Sequence, residues 1–131
     1  MAKPALKITT PLNGYTKTIN GFKIEEYQFD SLISLAIPLK GERKCKLNFK
    51  ETFGGSMPNI EKSIVNKSGI FGFRIGLDLL LVCIASSSTF PRKTFISLKQ
   101  SFYITDQTGG WCGIRVQGER VIKMLERICP L

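Results

Sequence analysis

YITDQTGGWCGIRVQGERVIKMLERICPL, residues 103–131, is the segment whose pattern decides the predicted fold. Tyr103–Asp106 is a short β-prone run, and the glycines within residues 107–110 can adopt positive φ, which favours a tight turn. Residues 111–116 then alternate between a mixed face and an apolar face, as a half-buried strand does. The sequence therefore predicts a β-hairpin here.

An amphipathic helix is predicted to follow this hairpin. Gly118 ends the strand, and Glu119 places an acidic residue where the helix dipole is positive. The apolar stripe that we expect to face the core comprises Val121, Leu125 and Ile128. The basic residues that we expect to face outward are Arg120, Lys123 and Arg127. Pro130 cannot continue the helix, so we expect the helix to stop there.

The composition is that of a folded chain with a basic surface. Its 131 residues are 43% hydrophobic and 22% charged, which is enough to form a core and argues against disorder. A net charge of +9 favours acidic partners of any class: nucleic acid, an anionic membrane or another protein. The sequence has no histidine, which excludes histidine-dependent nucleophiles and histidine metal sites.

Cysteine usage indicates a reducing compartment. Cys45, Cys83, Cys112 and Cys129 form no C-x-x-C pair and mostly adjoin apolar residues. We therefore expect buried free thiols rather than a disulfide framework. The first residues lack the apolar region of a signal peptide, and no apolar run approaches the ~20 residues of a membrane span, so we expect a cytoplasmic protein without a membrane partner.

The chain is predicted to consist of an arm and one domain. Residues 1–21 are rich in turn-forming residues and are predicted to be an N-terminal arm without its own core. Residues 22–131 are predicted to form a single domain. In that domain Glu42–Phe53 is the clearest helix, because an acid leads it and Gly54 supplies a left-handed stop. Its inward residues at helical spacing are Cys45, Phe49 and Phe53.

Strands are predicted on both sides of that helix. The β-prone runs are residues 22–29, 32–37, 63–65, 70–75 and 79–85. The last run is almost continuously apolar, which indicates a strand central in its sheet. A second helix is predicted to start at Pro91, with inward residues Phe95, Leu98 and Phe102. The fold class that follows is α+β, a mainly antiparallel sheet with helices packed on one face.

No segment carries a strong catalytic motif. Asp78 and Asp106 flank turns, where turn formation is commoner than acid catalysis. The glycine pairs at 54–55 and 109–110 lack the lysine or following helix of a phosphate-binding loop. Cys45 lies between two lysines, which would lower its thiol pKa, but it shares the inward stripe of its helix. We therefore assign no catalytic, cofactor-binding or metal-binding residue.

Nucleic-acid binding stays an alternative, because the net charge and nine phenylalanines could supply phosphate contacts and stacking platforms. Phe49 and Phe53 fall on an apolar helical stripe, however. That position favours core packing, so we expect no nucleic-acid partner.

A distributed pattern links the C-terminal segment to a known family. It joins an acid, a short turn, an alternating strand with arginine, a glycine, and a helix that ends in Cys-Pro-Leu. Its residues are Asp106, Arg115, Gly118, Leu125, Cys129, Pro130 and Leu131. Further back, Pro38-Leu39-Lys40-Gly41, Phe53-Gly54 and Pro58 extend it. This pattern resembles the gamma subunit of heterotetrameric sarcosine oxidase.

Two features depart from that family. Family members usually have Gly-Pro-Asp and then tryptophan before the central apolar strand, whereas this chain keeps only Gly76 and Asp78. Family members also continue past Cys-Pro-Leu, whereas this sequence stops at Leu131. The resemblance therefore implies either a domain that is shortened at its C-terminus or a sequence from which the remainder is missing.

The resemblance implies a non-catalytic accessory subunit whose fold is similar to part of the aminomethyltransferase folate-binding fold. Its partners would be the larger alpha and beta flavoenzyme subunits and a small zinc-binding delta subunit. FAD, FMN, NAD and tetrahydrofolate would belong to those sister subunits, which demethylate sarcosine or a related N-methyl amine and transfer the one-carbon unit. The resemblance implies no cofactor for this chain. Alternatives are a stand-alone folate-dependent one-carbon transferase and a basic nucleic-acid-binding module, and an isolated chain could self-associate.

Overall fold

The computed structural model describes residues 9–66, 69–85 and 95–129. The fold is α+β, as predicted, and its strands form two antiparallel sheets. The strands are β1 (Thr16–Ile19), β2 (Phe22–Tyr27), β3 (Phe29–Ala36), β4 (Ser63–Val65), β5 (Ile70–Arg74), β6 (Leu79–Ala85), β7 (Tyr103–Asp106) and β8 (Gly113–Gln117). The helices are α1 (Glu42–Phe53), α2 (Phe95–Leu98) and α3 (Val121–Ile128).

The described chain divides into two compact units. The larger unit contains the described residues between 29 and 111. The smaller unit contains residues 9–28 and 112–129. These units do not test the predicted division into an arm, residues 1–21, and one domain, residues 22–131, which stays a prediction.

The larger unit is built on a five-stranded sheet of order β4-β5-β6-β3-β7. The apolar strand β6 is central, as predicted, because it pairs with both β3 and β5. Its residues from Leu80 to Ala85 are at most 9% exposed. In the register Leu35 lies opposite Leu80, and Ile33 lies opposite Val82. These four side chains share one face and form the floor of the core.

Helices α1 and α2 cover that face. The core side chains that they and the following turn contribute are Cys45, Phe49, Phe53, Leu98 and Phe102. Phe49 is completely buried, and its ring lies 4.6 Å from that of Phe53. Burial of a side chain of this size contributes roughly 1.5–3 kcal/mol of transfer free energy. The predicted packing of helices on one sheet face is confirmed in this unit.

Helix α1 has the bounds that the sequence predicts. Gly54 ends it with φ of 71°, and its amide donates to the Lys50 carbonyl at 2.9 Å. A left-handed residue is cheapest as glycine, so the local sequence alone defines this end of the helix. The predicted start of a helix at Pro91 lies outside the described residues. Within the described residues, α2 begins at Phe95.

The smaller unit is a three-stranded sheet of order β1-β2-β8 with α3 after its last strand. Strand β1 falls within the predicted arm, where residues 16–19 pair with β2. Ile24 lies opposite Val116, and Glu25 lies opposite Arg115. Neighbouring residues of β2 therefore face opposite sides of this sheet.

The predicted β-hairpin of residues 103–116 is wrong. Strand β7 pairs with β3, and β8 pairs with β2, so the two strands belong to different sheets. The connection contains a single 3-10 turn, Thr108–Gly110, and neither of its glycines has positive φ. Strand propensity was read correctly, but the pairing partners come from distant parts of the chain.

The predicted inward stripe of the last helix is also wrong. Leu125 is 43% exposed and Ile128 is 66% exposed, and no residue of α3 is buried. The thiols divide in the same way: Cys45 and Cys83 are buried as predicted, whereas Cys112 and Cys129 are exposed. Amphipathic spacing identified the helix, but it did not identify what the apolar side contacts.

Candidate interaction site

The acids weighed as catalytic candidates serve turns and sheets. The Asp106 carboxylate accepts from the Thr108 amide at 2.9 Å and from the Thr108 hydroxyl at 2.7 Å, which caps the turn after β7. Asp78 is exposed, and its carbonyl accepts from the Ile37 amide at 2.7 Å. The Asp106 carboxylate therefore has the turn role that the sequence favoured, and Asp78 lies in the bend before β6.

The thiol weighed as a nucleophile is inert. Cys45 is completely buried, and its thiol donates to the Ser101 carbonyl at 3.1 Å. Burial raises its pKa, an effect that the nearby Lys44 charge only partly opposes. Burial also raises the pKa of Cys83 to about 11. Both thiols stay protonated near neutral pH, which is the wrong state for a nucleophile.

Glu25 lies on one face of the smaller sheet in a cluster of cations. Lys23 Nζ is 2.5 Å from its carboxylate, and Arg115 Nη1 is 3.8 Å from it. The Lys23 hydrogen bond is the largest cause of the lowered pKa of Glu25. The Arg115 guanidinium also lies 4.5 Å from the centre of the Tyr27 ring. The cluster therefore holds an ionised, paired carboxylate rather than a proton donor.

Glu26 lies on the other face and fastens the preceding turn. Its carboxylate accepts from the Thr10 hydroxyl at 2.6 Å and from the amides of Gly14 at 2.7 Å and Leu12 at 3.0 Å. The Thr10 bond is the largest cause of its lowered pKa. This carboxylate does for the turn what a capping residue does for a helix.

The α3 cleft is the candidate functional site of the smaller unit. It has a volume of about 460 Å³ and is lined by Phe22, Arg120, Lys123, Met124 and Arg127. Its floor is apolar because it is formed by Phe22, from β2, and Met124, from α3. Three cations surround that floor, and the lining contains no acid.

The arrangement of the cleft follows from the helix period. Arg120, Lys123 and Arg127 recur at i, i+3 and i+7, so they form one stripe on the helix. Sequence analysis placed them on a solvated outward face and missed the cleft. The signal that was available is the recurrence of three cations on one side of the helix. What the sequence could not supply is Phe22, which lies about a hundred residues away in the chain.

Such a cleft can bind an anionic group that carries an apolar part, and its lining contains no carboxylate, thiol or hydroxyl. Among residues 9–66, 69–85 and 95–129, no cluster of three or more cysteine, aspartate or glutamate residues could hold a metal ion. In the same part of the chain, no helix is long and apolar enough to cross a membrane.

Comparison with known proteins finds a likeness among solved structures. No protein-family model matches the sequence, and no curated protein matches it. Among solved structures, the chain is similar to a heterotetrameric sarcosine oxidase from Corynebacterium sp. U-96 in complex with pyrrole 2-carboxylate, with a TM-score of 0.63 and 15% identity. The likeness covers 84% of this chain and 56% of that chain, so this chain spans little more than half of its neighbour's length. At this identity the likeness establishes a shared fold.

Proposed function

We propose that this chain is a non-catalytic accessory subunit of a heteromeric oxidase similar to sarcosine oxidase, with the role of the gamma subunit. The observation that carries the proposal is the fold likeness to a heterotetrameric sarcosine oxidase over 84% of this chain. The pattern that ends in Cys129-Pro130-Leu131 supports the choice of the gamma subunit.

The chemistry of the described residues agrees with a role outside catalysis. A general acid or base is most effective when its pKa lies near the working pH. Hydrogen bonds and cations hold the carboxyl pKa values of Glu25, Glu26 and Glu42 below their ordinary value. Burial moves the thiol pKa values of Cys45 and Cys83 in the opposite direction. Both sets move away from neutrality.

In the proposed assembly, oxidative demethylation and one-carbon transfer to tetrahydrofolate belong to other subunits. The substrate class is sarcosine or a related N-methyl amine. The partners are the larger alpha and beta subunits and the small zinc-binding delta subunit, which carry the flavins, NAD and the metal. This chain contributes a folded surface that joins those subunits.

Coexpression tests the proposal. The full chain, carrying an affinity tag, is produced together with the large flavin-bearing subunits of a sarcosine oxidase complex from the same genome. We expect the flavin absorbance to copurify with the chain in a constant ratio through size-exclusion chromatography. A chain that elutes by itself overturns the proposal.

A titration of the isolated chain separates the proposal from the main alternative. We expect calorimetry with tetrahydrofolate to give no saturable heat, because the folate site belongs to a sister subunit. Saturable binding would instead favour a stand-alone folate-dependent transferase.

A further inference from the structure

The cations of the α3 cleft have no acidic partner in the described part of the chain. Arg120, Lys123 and Arg127 take part in no ion pair there, and all three are exposed. By contrast, Glu25 and Glu42 each contact two cations. Glu119 and Glu126 adjoin these cations in sequence but form no ion pair with them in the described part of the chain, so the three cations still give the cleft a net positive charge.

An exposed apolar stripe adjoins these cations on the same helix. Leu125 and Ile128 are 43% and 66% exposed, and with the half-buried Val121 they follow a helical spacing of four and three residues. The floor residue Met124 lies between this stripe and the cation stripe on the helix. Together they present an apolar strip beside a positive strip.

We propose that the α3 cleft and its apolar stripe bind an acidic, amphipathic segment of a partner polypeptide. Carboxylates of the segment pair with Arg120, Lys123 and Arg127, while its aliphatic side chains cover Leu125 and Ile128. Charge complementarity selects such a segment and sets its orientation, and apolar contact supplies affinity. The identity of the partner, a sister subunit, rests on the proposed function.

The other possible occupants fit less well. A nucleic acid would neutralise the three cations, but its phosphates would leave Leu125 and Ile128 exposed to water. A second copy of this chain carries the same net charge of +9, so two copies repel at long range. An acidic, amphipathic protein segment can pair with the three cations and cover the apolar stripe at the same time.

The first test uses defined peptides and the full chain. The probe is a fluorescent synthetic helix with glutamate on one face and leucine on the other. Its controls keep the glutamates and replace leucine with serine, or keep the leucines and replace glutamate with lysine. We expect the Glu/Leu peptide to bind at least about tenfold more tightly than either control. Equal binding of the Glu/Ser peptide, or tighter binding of a single-stranded RNA, would overturn the proposal.

Matched variants locate the binding. The cleft variant carries Arg120→Glu, Lys123→Glu and Arg127→Glu. The control variant carries Lys17→Glu, Arg43→Glu and Lys99→Glu, three exposed cations elsewhere with the same change in net charge. We expect the cleft variant to lose at least about tenfold in peptide affinity and the control to lose much less. Equal losses would mean that only net charge matters.

A charge-neutral variant tests the apolar half. Leu125→Ser with Ile128→Ser keeps all three cations, so it separates apolar docking from simple ion pairing. We expect this variant to bind the Glu/Leu peptide more weakly than the unmodified chain does, and to bind the Glu/Ser peptide with unchanged affinity. Circular dichroism checks that every variant keeps its fold. Sedimentation shows whether the unmodified chain self-associates through the same residues. Self-association that is lost in this variant would assign the apolar stripe to a second copy and reject the proposal.

Coexpression with the flavin-bearing subunits separates this inference from the proposed function. If the unmodified chain assembles and the cleft variant assembles equally well, the assigned surface is wrong and the function stands. If the unmodified chain does not assemble, the proposed function fails, and the peptide measurements still decide the chemistry of the cleft.

Discussion

Arg74 Nη1 and Glu42 Oε1 lie 3.2 Å apart, and this ion pair ties β5 to the first turn of α1. The guanidinium is 6% exposed and also donates to the carbonyls of Gly76 at 3.3 Å and Leu77. Glu42 forms a second pair with Lys46 at 3.1 Å, one helical turn further on. One buried arginine therefore fixes both a helix start and the turn before β6.

Replacing that arginine should destabilise the larger unit. Arg74→Met removes the donors of two carbonyls and a carboxylate, and we expect a loss of about 2–4 kcal/mol in the free energy of unfolding. Urea unfolding measures it. Lys46→Met removes only the exposed partner of the same carboxylate, so its urea midpoint should stay close to that of the unmodified chain. Equal effects of the two variants would contradict the structural role of Arg74.

The turn at residues 11–14 should respond to acid through Glu26. Its folded pKa lies below the ordinary 4.5, so its stabilisation is fully present above that value and is lost as pH falls through the lowered folded pKa. We expect Glu26→Gln to speed amide hydrogen exchange at Leu12 and Gly14 near neutral pH. Glu25→Gln, on the opposite sheet face, should leave both amides unchanged. Identical exchange in Glu26→Gln would rule out the carboxylate as the fastening group.

Gly118 should tolerate no side chain. A Cβ there would lie 2.8 Å from a Phe22 ring carbon and 3.0 Å from the Gly21 carbonyl. We expect Gly118→Ala to cost about 1–3 kcal/mol in stability, because a ring and a backbone atom must both move. Gly109→Ala is the control, since a Cβ at that position meets nothing within 4 Å. Thermal unfolding followed by circular dichroism compares them, and equal midpoints would refute the close approach.

Cys83 should make the fold sensitive to alkali. Its folded pKa of about 11 lies above the ordinary 9.0, so its contribution is present below pH 9 and is lost as pH rises toward 11. We expect Cys83→Ala to reduce the loss of stability between about pH 8 and about pH 10, measured by urea midpoints at each pH. Cys112→Ala, at an exposed thiol, should leave that pH difference unchanged. An unaltered difference in Cys83→Ala would show that other groups cause the alkaline loss.

Iodoacetamide gives an independent readout of the same thiols. In the folded chain, Cys112 and Cys129 should be alkylated, because both are exposed. Cys83 and Cys45 should react only after unfolding, because both are buried and stay protonated. Rapid labelling of Cys83 in the folded chain would contradict its burial.

Local signals predicted the elements that local signals can define. The bounds of α1 agree because an acid, a four-residue apolar period and Gly54 all lie within that segment. Strand β6 was identified as central because a continuous apolar run needs cover on both faces. In both cases the deciding residues are neighbours in sequence.

Strand pairing and the burial of apolar helix faces could not be predicted in the same way. Residues 103–106 and 113–117 look like two strands of one hairpin, but β7 pairs with β3 and β8 pairs with β2. The outcome depends on residues far away in the chain, which the turn sequence does not report. For the same reason the helical period of α3 showed an apolar stripe without showing that Leu125 would be exposed. The α3 cleft was missed because Phe22 completes it from a distant strand.

The placement of Phe22 and Met124 in one cleft sets an order of events during synthesis. The larger unit is a continuous run of chain, whereas the smaller unit takes β2 from before that run and β8 with α3 from after it. As the ribosome extends the chain, Phe22 emerges early but cannot meet its cleft partners until residue 127 has been made. The larger unit can therefore fold before the surface that we assign to a partner is complete.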